Sequence, residues 1–189
     1  IIGNKKTTGD QQTEVHYPTP DDNFGKVPEL DPNEGNLVVP NTNLEEIIKS
    51  ACPAPSGGNL QPWNWSSLGN ILQLKFDRNL VSSFLDHNDI ASMIALGASL
   101  ENAALEAANQ GYLAETSYLQ GNESDLIARL ALSESKSQNE LDQWLGGNIL
   151  NRETNRNLDL SEPLSKIHQE KLLESSQKNG SNLLIIEPG

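Results

Sequence analysis

Only one cysteine, Cys52, occurs in the 189 residues, so no intrachain disulfide framework can form. No stretch approaches the ~18 consecutive apolar residues of a membrane span, and no charged-then-apolar leader pattern opens the chain. The expectation is therefore a cytoplasmic protein. Positive charge is also scarce: 13 Lys+Arg face 26 Asp+Glu, a net charge of −13 with pI near 4.5. Such a chain repels phosphate backbones and anionic lipid, which argues against nucleic acid and membrane surfaces as partners. A phosphorylated ligand would need a local cluster of positive charge, so any close pair of arginines is informative. No initiator Met precedes Ile1-Ile2, and the chain stops just past a strand-like run at Ile186, so a piece of a longer protein is expected. No short repeat is visible.

Hydrophobic residues make up 35% and mean hydropathy is −0.52, low for a compact globule. Much of the deficit falls in residues 1–43, rich in Asn, Asp, Pro, Gly and Thr. Pro18, Pro20, Pro28, Pro32 and Pro40 oppose regular structure there, which predicts an extended arm or inter-domain linker. From Thr42 the pattern changes. Thr42 with Glu45 reads as a capping box, followed by Leu44, Ile47, Ile48 and Ala51 on one helical face, ended by Pro53.

Trp63 and Trp65 then alternate with polar residues in a strand. A Leu68-Gly69-Asn70 turn leads to a second strand, with Leu72, Leu74 and Phe76 on one face. A long helix over 89–110, capped by Asn88 or Asp89, is apolar almost all round and should be central, with Met93 and its leucines in the core and Gly111 closing it. Strands over 112–119 and 126–132, a helix over 138–146, an amphipathic helix after Pro163 and a strand at Leu183–Ile186 complete the reading. The sum is an α+β fold: a mostly antiparallel sheet packed with a long central helix.

The most distinctive stretch is Ala54-Pro55-Ser56-Gly57-Gly58-Asn59-Leu60-Gln61-Pro62-Trp63. Two prolines fix it, two glycines open it to close backbone approach, and Ser, Asn and Gln offer donors and acceptors suited to a flavin's pyrimidine edge and ribityl hydroxyls. Far downstream, Arg152-Glu153-Thr154-Asn155-Arg156 places two arginines four apart. At a helix start they would share a face and hold a phosphate between guanidinium forks, with Thr154 beside them.

The loop resembles the A-P-S-x-x-N-x-Q-P-W motif of the nitroreductase superfamily, and Gly97-Ala98-Ser99-Leu100-Glu101-Asn102 resembles part of that family's long central helix. The resemblance spans residues 54–156. It implies a dimeric α+β flavoprotein with FMN at the subunit interface. The R-x-S/T-x-R motif that usually precedes the loop is missing. Its place late in the chain resembles a branch in which two nitroreductase-like halves are fused. On that reading residues 1–43 are the arm, 44–150 the first half, and 151–189 the truncated start of the second. The implied cofactor-binding set is Ser56, Gly57, Asn59 and Gln61 with Arg152, Thr154 and Arg156. The implied activity is electron transfer from NAD(P)H through FMN to a nitro, quinone or similar small-molecule acceptor, in a homodimer or fused pseudo-dimer. No side chain is assigned as a catalytic acid or base, because the flavin carries the chemistry.

Plainer readings stand beside these. The loop could be a rigid turn whose tryptophans pack the core, and the arginines a surface pair with Glu153. The whole could be a catalytically degenerate flavin-binding or interaction module of a larger multidomain protein. Asp86-His87-Asn88-Asp89 suits a helix start better than a metal, and no metal site is expected. His16 and His168 read as solvated, and Cys52 as packing. The triplets Asn64-Trp65-Ser66 and Asn122-Glu123-Ser124 carry no weight without secretion.

Overall fold

The computed structural model describes residues 39–81, 86–119, 125–135, 139–154, 164–178 and 180–185. Four helices and four strands form there: α1 (Asn41–Ala51), β1 (Trp63–Leu68), β2 (Ile71–Phe76), α2 (Ile90–Asn109), β3 (Tyr112–Tyr118), β4 (Leu126–Glu134), α3 (Glu140–Gly146) and α4 (Lys166–Lys178). The sheet order is β1-β2-β4-β3 and every pairing is antiparallel, so the fold is α+β as the pattern predicts.

Alternation in β2 explains how the sheet meets the helices. Leu72, Leu74 and Phe76 point inward and are buried with Ala128, Leu130 and Leu132 of β4. Against this face lie Leu44, Ile47 and Ala51 of α1 and Ala95, Leu96, Leu100, Ala103 and Ala107 of α2. The many alanines let α2 sit close to α1 and the sheet. Gly69, at φ 58°, makes the β1–β2 turn. Asn70, buried beside it, donates to the Leu132 carbonyl at 2.8 Å and ties the turn to β4.

Several expectations need correction. Helix α1 begins at Asn41, inside the predicted arm, because Pro40 supplies the rigid residue before it. The Thr42 capping box does not form: Thr42 lies within the helix and its hydroxyl bonds Asn43. Val39, also assigned to the arm, is buried in the core. At the start of α2 neither Asn88 nor Asp89 caps. Asp86 does so instead, accepting from Ala91 N at 2.8 Å and from Ser92 N at 3.2 Å.

Helix α2 is also not buried all round. Ile90, Met93 and Ile94 are 57%, 44% and 69% exposed, since only one of its faces meets the sheet and α1. Met93 is therefore outside the core. Residues 183–185 form no strand, and Leu184 is exposed; a strand needs a neighbouring edge, and no described strand pairs with it. The Gln120-Gly121-Asn122 turn, Ile186, Arg156 and nearly all of the arm lie outside the described residues.

Candidate functional site: the 54–62 loop and its arginine

The loop between α1 and β1 is built by its own polar groups. Ser56 Oγ accepts from Gln61 N at 3.0 Å, and Asn59 N donates to the Ser56 carbonyl at 3.0 Å. Gln61 Nε2 donates to the Cys52 carbonyl at 3.2 Å. Gly58, Asn59 and Gln61 all take left-handed backbone, with φ of 62°, 57° and 49°. Glycine adopts this freely and asparagine tolerates it, but for Gln61 it is strained, held by the two hydrogen bonds just named. The result is a tightly coiled loop with Gly57, Gly58 and Asn59 exposed at its tip.

Two further contacts anchor the loop. Trp65 Nε1 donates to Ser99 Oγ at 3.1 Å, and that buried hydroxyl donates in turn to the Ala51 carbonyl at 3.1 Å, linking β1, α2 and the end of α1. Arg152 Nη2, from 99 residues downstream, donates to the Pro53 carbonyl at 3.0 Å. Its Nη1 lies 3.4 Å from Thr154 Oγ1. Sequence-distant Arg152 and Thr154 are thus brought to the start of the loop that carries Ser56, Gly57, Asn59 and Gln61. The helix start expected at the first arginine is not formed over residues 152–154; Arg156 lies outside the described residues. The Arg152 backbone is extended (φ −66°, ψ 125°).

A cleft of about 260 Å³ opens beside the loop. One wall is Gly57, Gly58, Leu60 and Pro62; the other is Asp86, Ala91, Ser92 and Ala95 at the start of α2. The four non-glycine residues with positive φ among the described residues, Asn59, Gln61, Asn88 and Asp89, fall in the two stretches that flank this cleft. Such strain gathers where a fold holds a ligand-facing conformation. Asp86 and Ser92 were not among the residues singled out for binding. The Ser92 hydroxyl, together with the Ala91 and Ser92 amides, holds the Asp86 carboxyl below the usual aspartate range, so it stays ionised at the cleft wall.

No family model matches the chain. A curated Mycobacterium tuberculosis protein, provisionally named NAD(P)H nitroreductase acg, is 27% identical over 129 residues, which is 68% of this chain and 39% of that protein. By that match the chain is similar to a nitroreductase. It spans about 39% of the length of the curated relatives it matches. Solved structures that align with the chain include one from Desulfovibrio desulfuricans, provisionally described as a nitroreductase in complex with FMN (17% identity, 69% of this chain and 89% of that one, TM-score 0.45). Another is a nitroreductase-like protein from Streptococcus mutans (17% identity, 58% and 84%, TM-score 0.42).

Among the described residues, no group of three or more His, Cys, Asp or Glu is placed to hold a metal ion. No described helix is long and apolar enough to cross a membrane. Cys52 is a free, half-buried thiol at the end of α1, and His168 is exposed, its ring centroid 5.8 Å from that of Trp144.

Proposed function

We propose that this chain supplies one wall of an FMN site in a flavin-dependent oxidoreductase that takes electrons from NAD(P)H and passes them to a nitro, quinone or similar small acceptor. The observation that carries the reading is the contact of Arg152 with Pro53: a guanidinium from 99 residues away lies on the loop that carries the Ser/Asn motif. The name of the curated relative supports the same chemistry.

The residues present fit part of such a cofactor. Arg152 has five N–H donors, and the contacts described above engage only two of its nitrogens, so it retains donors for a phosphate. Thr154 sits beside it, and Arg156 is the second cation of the proposed pair. At the other end Asn59 is exposed at the loop tip, while Ser56 and Gln61 brace the loop and keep part of their hydrogen-bonding capacity. The cleft beside Gly57 and Gly58 is lined mainly by apolar groups, which suits a flat ring. At about 260 Å³ it falls just short of the roughly 300–1,000 Å³ of a complete small-molecule site. When bound, FMN would supply the hydride and electron transfer. The chain's own residues would bind, orient and shield it.

A complementary half must then close the site, from a second copy or from a fused second half beginning near residue 151. The exposed Ile90, Met93 and Ile94, with Gly97 open beside them, form an apolar face on α2 suited to that pairing. Absorbance after incubation of the full-length protein with FMN tests the proposal. Bound flavin that NADPH bleaches and an acceptor restores is the expected result. Replacing both Arg152 and Arg156 by Ala should weaken FMN binding at least about tenfold, since each charge-assisted hydrogen bond contributes about 1.5–3 kcal/mol. Unchanged affinity would remove the pair from the site.

A further inference from the structure

Three successive carbonyls leave the C-terminal end of α1, and each meets a side chain from a different part of the chain. The Ala51 carbonyl accepts from Ser99 of α2, the Cys52 carbonyl from Gln61 of the loop, and the Pro53 carbonyl from Arg152. The last carbonyls of a helix lack partners within it and carry the negative end of its dipole, so a guanidinium there is doubly favoured. Local backbone amides serve the last turn, Cys52 N donating to the Ile48 carbonyl and Ala54 N to the Ala51 carbonyl, both at 3.3 Å, whereas the Pro53 carbonyl just past the helix is met by Arg152. Arg152 therefore has a task in the flavin-free chain that a phosphate ligand alone would not have.

We propose that Arg152 is a positioning residue. It holds the turn that follows α1 and sets the 54–62 loop before any cofactor arrives, so that loop geometry and anion binding draw on one guanidinium. The inference deepens the FMN reading and assigns that guanidinium a second role. With Gln61 it holds both ends of the coil: Gln61 pins the loop's far end to Cys52, and Arg152 pins its near end at Pro53. Loss of Arg152 should let Gly58, Asn59 and Gln61 relax from their left-handed turn.

Amide hydrogen exchange of residues 56–61 in flavin-free, full-length protein tests this. Arg152→Ala should exchange about three- to tenfold faster there, the scale of one solvent-exposed, charge-assisted hydrogen bond. Arg152→Lys, which keeps a cationic donor, should restore much of the protection, and Arg156→Ala should leave it unchanged. Where FMN binds, Arg152→Ala should also alter the visible circular dichroism of the bound flavin, with Lys again restoring it. Unchanged exchange in Arg152→Ala would overturn the positioning role whatever happens to flavin affinity. Faster exchange in a protein that takes up no FMN would uphold the clamp and sink the flavin reading instead. If Arg152→Ala fails to fold, Arg152→Gln, which keeps an amide donor without charge, gives the same comparison.

Discussion

Helices α2 and α4 both carry apolar residues at helical spacing, yet they end in opposite circumstances. Helix α2 buries Ala95, Leu96, Leu100, Ala103 and Ala107 against the sheet and α1, whereas α4 has no buried residue at all. Ile167, Leu172 and Leu173 of α4 are 60%, 39% and 37% exposed. What attaches α4 to the rest is peripheral: Lys178 pairs with Asp142, and His168 tilts against Trp144. An apolar stripe thus says that a helix has a face to bury, but not that this stretch of chain holds the surface to bury it on.

The contrast breaks most readily at the sheet. Phe76 is 1% exposed in the common core of the sheet, α1 and α2. Phe76→Ala should lose about 3–5 kcal/mol in urea unfolding, a large share of a typical stability of roughly 5–15 kcal/mol. A loss below about 1 kcal/mol would mean that the sheet with α1 and α2 is as loosely held as α4.

A smaller effect belongs to Asp86, where α2 begins. Its carboxyl is held below the ordinary aspartate value chiefly by the Ser92 hydroxyl, with the Ala91 and Ser92 amides adding to this and desolvation opposing it. A depressed folded-state value means that the contribution is complete above the unfolded aspartate value. It is lost as pH falls through that value to the lower folded one. Asp86→Asn should therefore be less stable than the parent at neutral pH, with the gap closing in acid. A gap that stays constant down to pH 2 would show that the cap does not depend on charge.

The sequence made the body legible because its signals are local. Period 2 in residues 71–76 names Leu72, Leu74 and Phe76 as one face and burial follows it, whereas the helix at 90–109, read as apolar almost all round, leaves Ile90, Met93 and Ile94 exposed. Signals that depend on a partner were less informative. The Thr42 capping box was outcompeted by Pro40, and the cap of α2 came from Asp86 rather than Asn88 or Asp89, whose left-handed backbone turns the chain instead. Leu183–Ile186 has strand composition, but residues 183–185 pair with no described strand. In the candidate site, Ser56, Gly57, Asn59 and Gln61 were singled out from the loop's composition, and the structure coils them into one loop. The meeting of Arg152 with Pro53 was not legible, since no spacing rule links residues 99 apart; family resemblance suggested only that Arg152 and the loop share one FMN. Asp86 and Ser92 went unnoticed at the cleft because a helix start and a ligand wall share the same residue types.

The smallest expected effect gives the comparison its sharpest form. In the 189-residue chain Leu172→Ala should change stability by less than about 1 kcal/mol, because a side chain already 39% exposed loses little by truncation. Its helix propensity barely changes either, since Leu and Ala are both strong helix formers. The proposed second half makes a further demand. A stripe of Leu164, Ile167, Leu172 and Leu173 left in water is unfavourable by the same apolar area that stabilises α2. If that stripe packs on a complementary half, the same substitution in an assembled pair should move toward the roughly 2–5 kcal/mol of a buried leucine. Equal, small losses in both states would leave α4 as a solvated appendage and remove residues 164–178 from the pairing surface.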